Sequence, residues 1–188
     1  MASRDVSSII LYTAAVRKAL KREFYVRDGE IVARELLGKF LVRKIGTKEI
    51  AAMITEVELY EGFEDRASHG FKRTKRSEVM YGPGGHWYVY LCYGMYEMLN
   101  IVIGPEDHPA AILIRGADTY NGPGKLTRAL RIDRTLNAMP ASKETGLWIE
   151  DRRFAISQKD ILRTPRIGIG DAGPKWTKRL HRFLLQQN

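Results

Sequence analysis

Residues 54–60 carry two acids and a tyrosine at the spacing that a β-strand places on one face. In this stretch, ITEVELY, polar and apolar residues alternate, so Glu56, Glu58 and Tyr60 should share one face. A strand holds a carboxylate rigidly, which suits a general base that takes a proton from water. A strand whose polar face meets solvent would show the same alternation, so both interpretations stay open.

A second stretch concentrates aromatic residues. Residues 86–96, HWYVYLCYGMY, contain a tryptophan and four tyrosines. Aromatic residues in strands usually belong to a core, but each tyrosine hydroxyl needs water or a hydrogen-bond partner. Tyr93 also stands beside Gly94 at an expected turn, where a side chain projects outwards. Stacked rings next to basic residues suit a nucleic-acid base that has left its helix.

The acids near residue 60 raise the question of a metal site. Five of them lie within ten residues: Glu56, Glu58, Glu61, Glu64 and Asp65. His69 follows, but the other histidines lack ligand spacing, and Cys92 is the only cysteine. We therefore expect no metal and no other cofactor. A metal-dependent nuclease built on these carboxylates stays an alternative.

The segment GPGK at residues 122–125 does not fit the phosphate-loop pattern. Thr119 stands where the pattern needs its first glycine, and Leu126 follows Lys125 where serine or threonine is required. Proline is favoured in the first turn of a helix, so residues 122–130 are predicted to be helical. Lys125 near the start of that helix could then hold a backbone phosphate.

The net charge and the length of the chain limit the classes of protein to which it can belong. The 188 residues include 31 lysines and arginines against 22 acids, a net charge of +9 that favours a polyanionic partner. The basic residues concentrate at 66–76 and in the last fourteen positions. The longest apolar run, 9–16, is far below the roughly 20 residues that cross a bilayer. We expect a soluble intracellular protein that does not enter membranes.

The pattern of the chain predicts an α+β fold with a single domain. Strands are predicted at 39–45, 49–60, 86–93, 97–104 and 110–117, and helices at 31–37 and 122–130. Turn residues favour antiparallel hairpins, so we expect a curved antiparallel β-sheet, a roll or partly open barrel, flanked by helices. Residues 1–29 should form a helical segment, with an apolar stripe ending at Leu20, before a core at about 30–183.

Six segments together resemble the alkyladenine (3-methyladenine) DNA glycosylase family. They are LLGKFLVRKI (36–45), ITEVELYEGFEDRASHG (54–70), HWYVYLCYGMYEMLN (86–100), ILIRGA (112–117), GPGKLTRAL (122–130) and RIGIG (166–170). They occur in the family's order and cover nearly the whole chain from about residue 30. The resemblance implies an enzyme that removes damaged bases from DNA.

The resemblance also implies roles for individual residues. Glu58 matches the catalytic general base, and Arg115 an arginine that braces the catalytic centre near the nucleotide's phosphate. Five positions fall in the pocket for the extruded base: Tyr60, Ala67, His69, Tyr90 and Asn100. Among these, Tyr60 and Tyr90 would stack on the base and His69 would read its edge. Asn100 matches the residue that clashes with the 2-amino group of normal guanine.

Further positions are implied to contact DNA. Tyr93 matches the side chain that enters the duplex in place of the extruded nucleotide. The other expected contacts are Met95, Tyr96, Lys72, Thr74 and Arg76, together with Lys125. The expected partner is double-stranded DNA that contains damaged purines.

The implied activity is hydrolysis of the N-glycosidic bond by a monomer that leaves an abasic site without cutting the strand. The implied substrates are 3-methyladenine, 7-methylguanine, hypoxanthine and ethenoadenine. The protein would then be DNA-associated, in the cytoplasm or nucleoid of a prokaryote or the nucleus of a eukaryote. A non-catalytic DNA-binding module with the same basic and aromatic surface is the second alternative.

Overall fold

A computed structural model describes residues 17–186, and these residues contain ten β-strands and four α-helices. The strands are β1 (Lys18–Ala19), β2 (Phe40–Ile45), β3 (Lys48–Glu61), β4 (Trp87–Cys92), β5 (Tyr96–Val102), β6 (Ala110–Ala117), β7 (Tyr120–Asn121), β8 (Leu147–Asp151), β9 (Ile161–Thr164) and β10 (Arg182–Leu185). The helices are α1 (Arg22–Tyr25), α2 (Gly29–Leu36), α3 (Pro123–Ala129) and α4 (Pro174–Thr177).

The strands form an open antiparallel sheet. Its main path runs β1-β8-β2-β3-β6-β5-β4, and the end strands β1 and β4 do not pair with each other. Strand β10 pairs with β3 and with β9, and β7 pairs with β6. The prediction of a single α+β domain built on an antiparallel sheet is therefore confirmed.

Strand β3 is the long central element that carries the alternating segment. Its first half pairs with β2 across a tight turn at Gly46, which has a φ of +58°. Its second half lies between β6 and β10, so that Glu58 faces Leu113 on one side and Arg182 on the other. A bulge interrupts the register at Glu56. A strand paired on both edges has little freedom, which fixes the position of Glu58.

Two helices cover the sheet. Helix α2 begins at the N-cap Asp28, whose side chain accepts a hydrogen bond from the Ile31 backbone N–H, and it packs against β3 and β6. Helix α3 begins with Pro123 and packs against β5 and β6. Apolar residues of these elements are fully buried and form the main core: Val32, Leu36, Ile54, Leu59, Leu99, Ile101, Ile112, Ile114 and Leu126.

The predicted central elements agree with the structure within a few residues. The five predicted strands correspond to β2–β6, the two hairpins are formed, and helices α2 and α3 lie at the predicted places. Most of the predicted N-terminal helix lies outside the described residues, and Leu20 follows β1 in a segment that is not helical. Within residues 17–186, no helix is long and apolar enough to cross a membrane.

Candidate active site

Glu58 is a fully buried carboxylate that three donors surround. Its Oε1 accepts a hydrogen bond of 2.7 Å from the Ile167 backbone N–H, and its Oε2 accepts one of 2.8 Å from the Tyr60 hydroxyl. Nη1 of Arg115 lies 3.5 Å from Oε2. Burial raises the pKa of Glu58 above its usual value, although these three donors oppose the shift. The carboxylate is therefore a stronger base than an exposed glutamate.

Arg115 is held mainly by the neighbouring acid, Glu56. Nε of Arg115 donates to Oε1 of Glu56 at 2.9 Å, and the same oxygen accepts from Nε of Arg182. Because Glu56 takes the shorter contact, Arg115 remains near Glu58 without forming a close ion pair with it. Glu58 is buried, and the arginine nearest to it binds Glu56 more closely.

A cavity of about 730 Å³ lies above Glu58. The three groups that contact the Glu58 carboxylate, Tyr60, Arg115 and Ile167, all line it. Nine of the fourteen residues that the sequence nominated for the site line this cavity: Tyr60, Ala67, His69, Arg76, Tyr90, Tyr93, Tyr96, Arg115 and Lys125. The carboxylate does not itself line the cavity but lies directly beneath its floor, and the lining includes five aromatic residues: Tyr60, His69, Tyr90, Tyr93 and Tyr96.

The walls are formed by β3, β4 and the turn that follows residue 65, together with residues of β5, β6 and the segments 121–125 and 167–169. Tyr60 comes from β3 and Tyr90 from β4, and no contact joins their two rings among the described residues. The ring of His69 packs edge-on against Tyr90, with a centroid distance of 4.6 Å. The gap between the Tyr60 ring and the pair formed by Tyr90 and His69 opens into the cavity.

His69 is tied to Tyr88, a residue that the sequence analysis did not assign to the site. Nδ1 of His69 lies 2.8 Å from the Tyr88 hydroxyl. Although His69 is exposed towards the cavity, partial burial of its ring and the positive charge of Arg76 lower its pKa to about 4. The imidazole is therefore neutral at physiological pH.

Asn100 faces a small compartment behind the cavity rather than the cavity itself. The compartment measures about 20 Å³ and shares Tyr60, Ala67, His69 and Tyr90 with the larger space. The Asn100 amide donates to the backbone carbonyls of Tyr88 and Met98, so its orientation is fixed. Asn100 therefore lies behind the cavity lining, with its amide nitrogen held by two backbone carbonyls.

The hairpin between β4 and β5 carries three exposed apolar side chains at its tip. Tyr93 is 83% exposed and has a φ of +51°, and Gly94 follows with a φ of +69°. A positive φ is uncommon for residues other than glycine and costs backbone strain. Tyr93 and Tyr96 line the cavity mouth, whereas Met95 points outwards and is 67% exposed.

The expected DNA-contacting polar residues fall into two groups. Arg76 and Lys125 are exposed at the cavity, and the Arg76 guanidinium lies over the Tyr90 ring at 4.8 Å. Lys72 and Thr74 do not line the cavity. They lie in the preceding loop, where the Thr74 backbone N–H donates to the Ser77 hydroxyl. Two rim cations therefore stand where a polyanion would approach the aromatic walls.

Besides Tyr88, three components of the site have no counterpart among the residues that the sequence nominated. The Ile167 backbone N–H binds Glu58 directly, and no sequence pattern identifies a backbone donor. Asp65 and Arg166 form a fully buried ion pair in which both guanidinium ends bind the carboxylate. The RIGIG segment (166–170) was recognised only as part of the family resemblance, which was the one available signal.

The fold and the site together place the buried carboxylate of Glu58 beneath a cavity that is partly lined by aromatic residues. The cavity opens between exposed cationic and apolar side chains. This arrangement suits a flat ring attached to a polyanion. It also places a buried carboxylate in contact with three groups that line the cavity, Tyr60, Arg115 and Ile167.

The family model described as methylpurine-DNA glycosylase matches residues 23–120 and 116–188. Relatives named provisionally as 3-methyladenine DNA glycosylases occur in several bacteria. The protein of Borrelia garinii subsp. bavariensis is 38% identical over 182 residues, covering 90% of this chain and 97% of its own length. Those of Desulfitobacterium hafniense (strain Y51) and Legionella pneumophila (strain Lens) are each 41% identical, covering 81% and 91% of this chain and 88% and 96% of their own lengths.

The chain belongs to the methylpurine-DNA glycosylase family. The resemblance to the alkyladenine (3-methyladenine) DNA glycosylase family is thus confirmed. Family membership supports a DNA glycosylase for alkylated bases.

The raised pKa of Glu58 has a consequence for stability. A carboxyl whose pKa is raised by folding contributes stability at low pH, and that contribution is lost as the pH rises through the folded-state pKa. The Glu58→Gln protein stays neutral at this position, so its stability relative to the wild type should increase as the pH rises from about 4 through the folded-state pKa of Glu58. Urea unfolding of both proteins across this range measures the difference.

Glu78→Gln is the matched control. Glu78 is exposed and its pKa is lowered by a hydrogen bond from Arg73, so the relative stability of this variant should change slightly in the opposite direction. If the Glu58→Gln protein gained no relative stability at high pH, the carboxylate would not be destabilised by burial.

Proposed function

We propose that this protein is a monofunctional DNA glycosylase that hydrolyses the N-glycosidic bond of damaged purines extruded from duplex DNA. The observation that carries the proposal is the position of Glu58, a buried carboxylate beneath a cavity with aromatic walls. The proposed substrates are 3-methyladenine, 7-methylguanine, hypoxanthine and ethenoadenine. The protein is proposed to act as a monomer.

Glu58 would act as the general base. A water molecule next to the anomeric carbon of the sugar transfers a proton to the Glu58 carboxylate while the water oxygen bonds to that carbon. The bond between the sugar and the damaged purine breaks, and its electron pair leaves with the purine. The Ile167 and Tyr60 donors keep the two carboxylate oxygens oriented while this happens. A carboxylate beneath the sugar would also stabilise the positive charge that develops there.

The aromatic walls would select the base. A ring between Tyr60 and Tyr90 gains stacking energy, and a positively charged alkylated ring gains a further cation–π attraction of roughly 0.5–2 kcal/mol. Neutral lesions such as hypoxanthine depend instead on shape and on hydrogen bonds at the ring edge. The neutral imidazole of His69 can offer such a bond, and the fixed amide of Asn100 would exclude a 2-amino group.

Tyr93 is proposed to fill the space that the extruded nucleotide leaves. Extrusion costs a few kcal/mol, and an apolar side chain between the base pairs offsets part of this cost. Its strained backbone and 83% exposure support this role, because no packing in the free protein explains them. Arg76 and Lys125 would bind the backbone phosphates on either side, a grip that weakens with salt.

The absence of strand cleavage is proposed because no activated amine is evident near Glu58 in the described part of the chain. Lys125 does line the cavity, but it is exposed. A lysine that attacks a sugar is normally activated by desolvation in an apolar pocket. An exposed lysine at the rim fits phosphate binding better than covalent catalysis.

A metal-dependent nuclease would need several carboxylates as metal ligands, but three of the candidate acids form ion pairs with arginine or lysine. Glu56 binds two arginines, and Asp65 is buried against Arg166. Glu64 is 82% exposed and pairs with Lys175. These acids do not converge on one point, which favours the glycosylase over the nuclease.

A lesion assay in EDTA separates the proposed function from its alternatives. The protein is incubated with a duplex that holds one hypoxanthine or one ethenoadenine, and abasic sites are then cleaved with alkali. We expect cleavage at the lesion only after alkali. A nuclease would be inactive in EDTA, and a non-catalytic module would release no base. Covalent trapping of the protein by borohydride would contradict the monofunctional assignment.

Glu58→Gln should bind lesion DNA normally and lose excision. Removal of a general base costs roughly two to four orders of magnitude in rate. Single-turnover excision gives the rate, and a gel-shift titration gives the affinity. Glu78→Gln, which changes an exposed acid away from the cavity, should excise at the wild-type rate. Near-normal excision by Glu58→Gln would remove Glu58 as the base.

Tyr93→Ala should weaken binding to lesion DNA by about tenfold or more, because nothing then fills the space in the duplex. Tyr93→Phe is the matched control, since it keeps the ring and the same backbone conformation. Affinity for lesion and undamaged duplexes is measured side by side for both variants. Equal lesion affinity in the alanine variant and the wild type would contradict the assignment of Tyr93.

A further inference from the structure

The buried pair of Asp65 and Arg166 lies directly behind one wall of the cavity. Both side chains are completely buried, and the Arg166 guanidinium lies over the Tyr60 ring at 4.6 Å. Tyr60 lines the cavity and its small compartment, whereas Arg166 lines neither. The guanidinium therefore covers the face of the ring that points into the protein and leaves the other face to the cavity.

The same pair joins the separate segments that build the site. Nη1 of Arg166 donates to the Leu59 carbonyl at 2.9 Å, next to Tyr60 on β3. Oδ1 of Asp65 accepts from the Ala67 backbone N–H at 3.1 Å, in the loop that leads to His69. Residues 166 and 167 are adjacent, so the position of Arg166 also sets the position of the N–H group that binds Glu58.

Stability alone is a poor explanation for this pair. A buried ion pair loses hydration on folding, and its replacement by apolar residues is often neutral or stabilising. Nε of Arg166 is buried and has no hydrogen-bond partner among the described residues. The arginine is therefore incompletely satisfied, although its planar group stacks on Tyr60.

We propose that Arg166, held by Asp65, is a positioning residue that fixes the Tyr60 ring and holds the Ile167 N–H group against Glu58. This inference rests on the proposed function, because it gives Tyr60 and Glu58 their roles in base binding and water activation. Arg166 itself does not touch the base. Its charge is balanced by Asp65, so it stacks on the ring without adding net charge to the site.

The double variant Asp65→Asn/Arg166→Met tests this inference. Both charges are removed together, so neither remains buried alone, and methionine keeps the length of the arginine stem. We expect a folded protein whose single-turnover excision of hypoxanthine falls by about 10- to 100-fold, since a misplacement of about 1 Å costs up to roughly 100-fold. A cooperative melt above the assay temperature establishes folding.

The pH profile distinguishes positioning from a general loss of structure. Charged or titratable groups face Glu58 or its partners from β3, β4, β6, β10 and the 166–169 segment: Glu56, Tyr60, Tyr90, Arg115, Arg182 and Arg166. In the variant, Glu58 loses the Ile167 donor, which lowers its pKa in the wild type. The acid limb of the excision profile should therefore move to higher pH.

A second readout does not depend on activity. The Ile167 amide proton makes a 2.7 Å hydrogen bond to a carboxylate, and its NMR resonance should move upfield in the double variant. If the wild type released no base, the proposed function would fail, yet this resonance would still test the positioning. An unchanged resonance, or an unchanged rate and acid limb in a folded variant, would overturn the inference.

Glu30→Gln/Arg163→Met is the matched control. Arg163 pairs with Glu30 at 2.9 Å and lies over the Phe183 ring at 5.2 Å, but neither residue lines the cavity. This variant also loses an arginine–carboxylate pair and a stacked guanidinium, and it should keep the wild-type rate and pH profile. An equal rate loss in the control would overturn the inference.

If the Asp65→Asn/Arg166→Met protein did not fold, the single variant Arg166→Lys would test the positioning role instead. Lysine keeps a charge beside Asp65 but cannot stack as a plane or bind Asp65 through two ends. We expect the same shift of the acid limb and the same upfield movement of the Ile167 resonance. Wild-type values for both would overturn the inference.

Discussion

The site depends on one carboxylate that is kept out of water. Burial of an ionised group costs far more free energy than its exposure, so it must be surrounded by donors that orient it. Glu58 has such donors in the Ile167 N–H and the Tyr60 hydroxyl, with Arg115 further away. The closest positive group is turned mainly to Glu56. A carboxylate that is oriented without being neutralised retains the basicity that proton transfer requires.

The position of β3 explains why the chain can hold such a group. The strand is paired with β6 on one edge and with β10 on the other, and β10 also pairs with β9. Residues 161–185 thereby return to the middle of the sheet and bring Arg166 and Ile167 over Glu58. The site is consequently incomplete until residues more than 100 positions apart have met, and the strands alone cannot assemble it.

This topology explains which parts of the site could be predicted from the sequence and which could not. Alternation at period two placed Glu58 and Tyr60 on one face, and the turn chemistry at Gly94 placed Tyr93 at an exposed tip, because both signals are local. Asp65 and Arg166 are 101 positions apart, and no periodic pattern in the sequence predicts that they pair. The Ile167 donor is a backbone group, which any residue type would provide. The strands β1, β7, β8, β9 and β10 were not predicted, because strands of two to five residues are too short to show a clear alternation.

The charges around the cavity argue that base selection, in the proposed function, comes from the walls and not from a net field. The charges of Glu56 and Glu58 are balanced as a group by Arg115 and Arg182, although neither arginine makes a close ion pair with Glu58, and Asp65 is paired with Arg166. These groups therefore add no net charge that would favour a cationic ring over a neutral one. The remaining difference lies in the π-faces of Tyr60 and Tyr90, which attract a cation at short range only. Rings of both kinds can then be accommodated, provided that their edge fits beside Asn100.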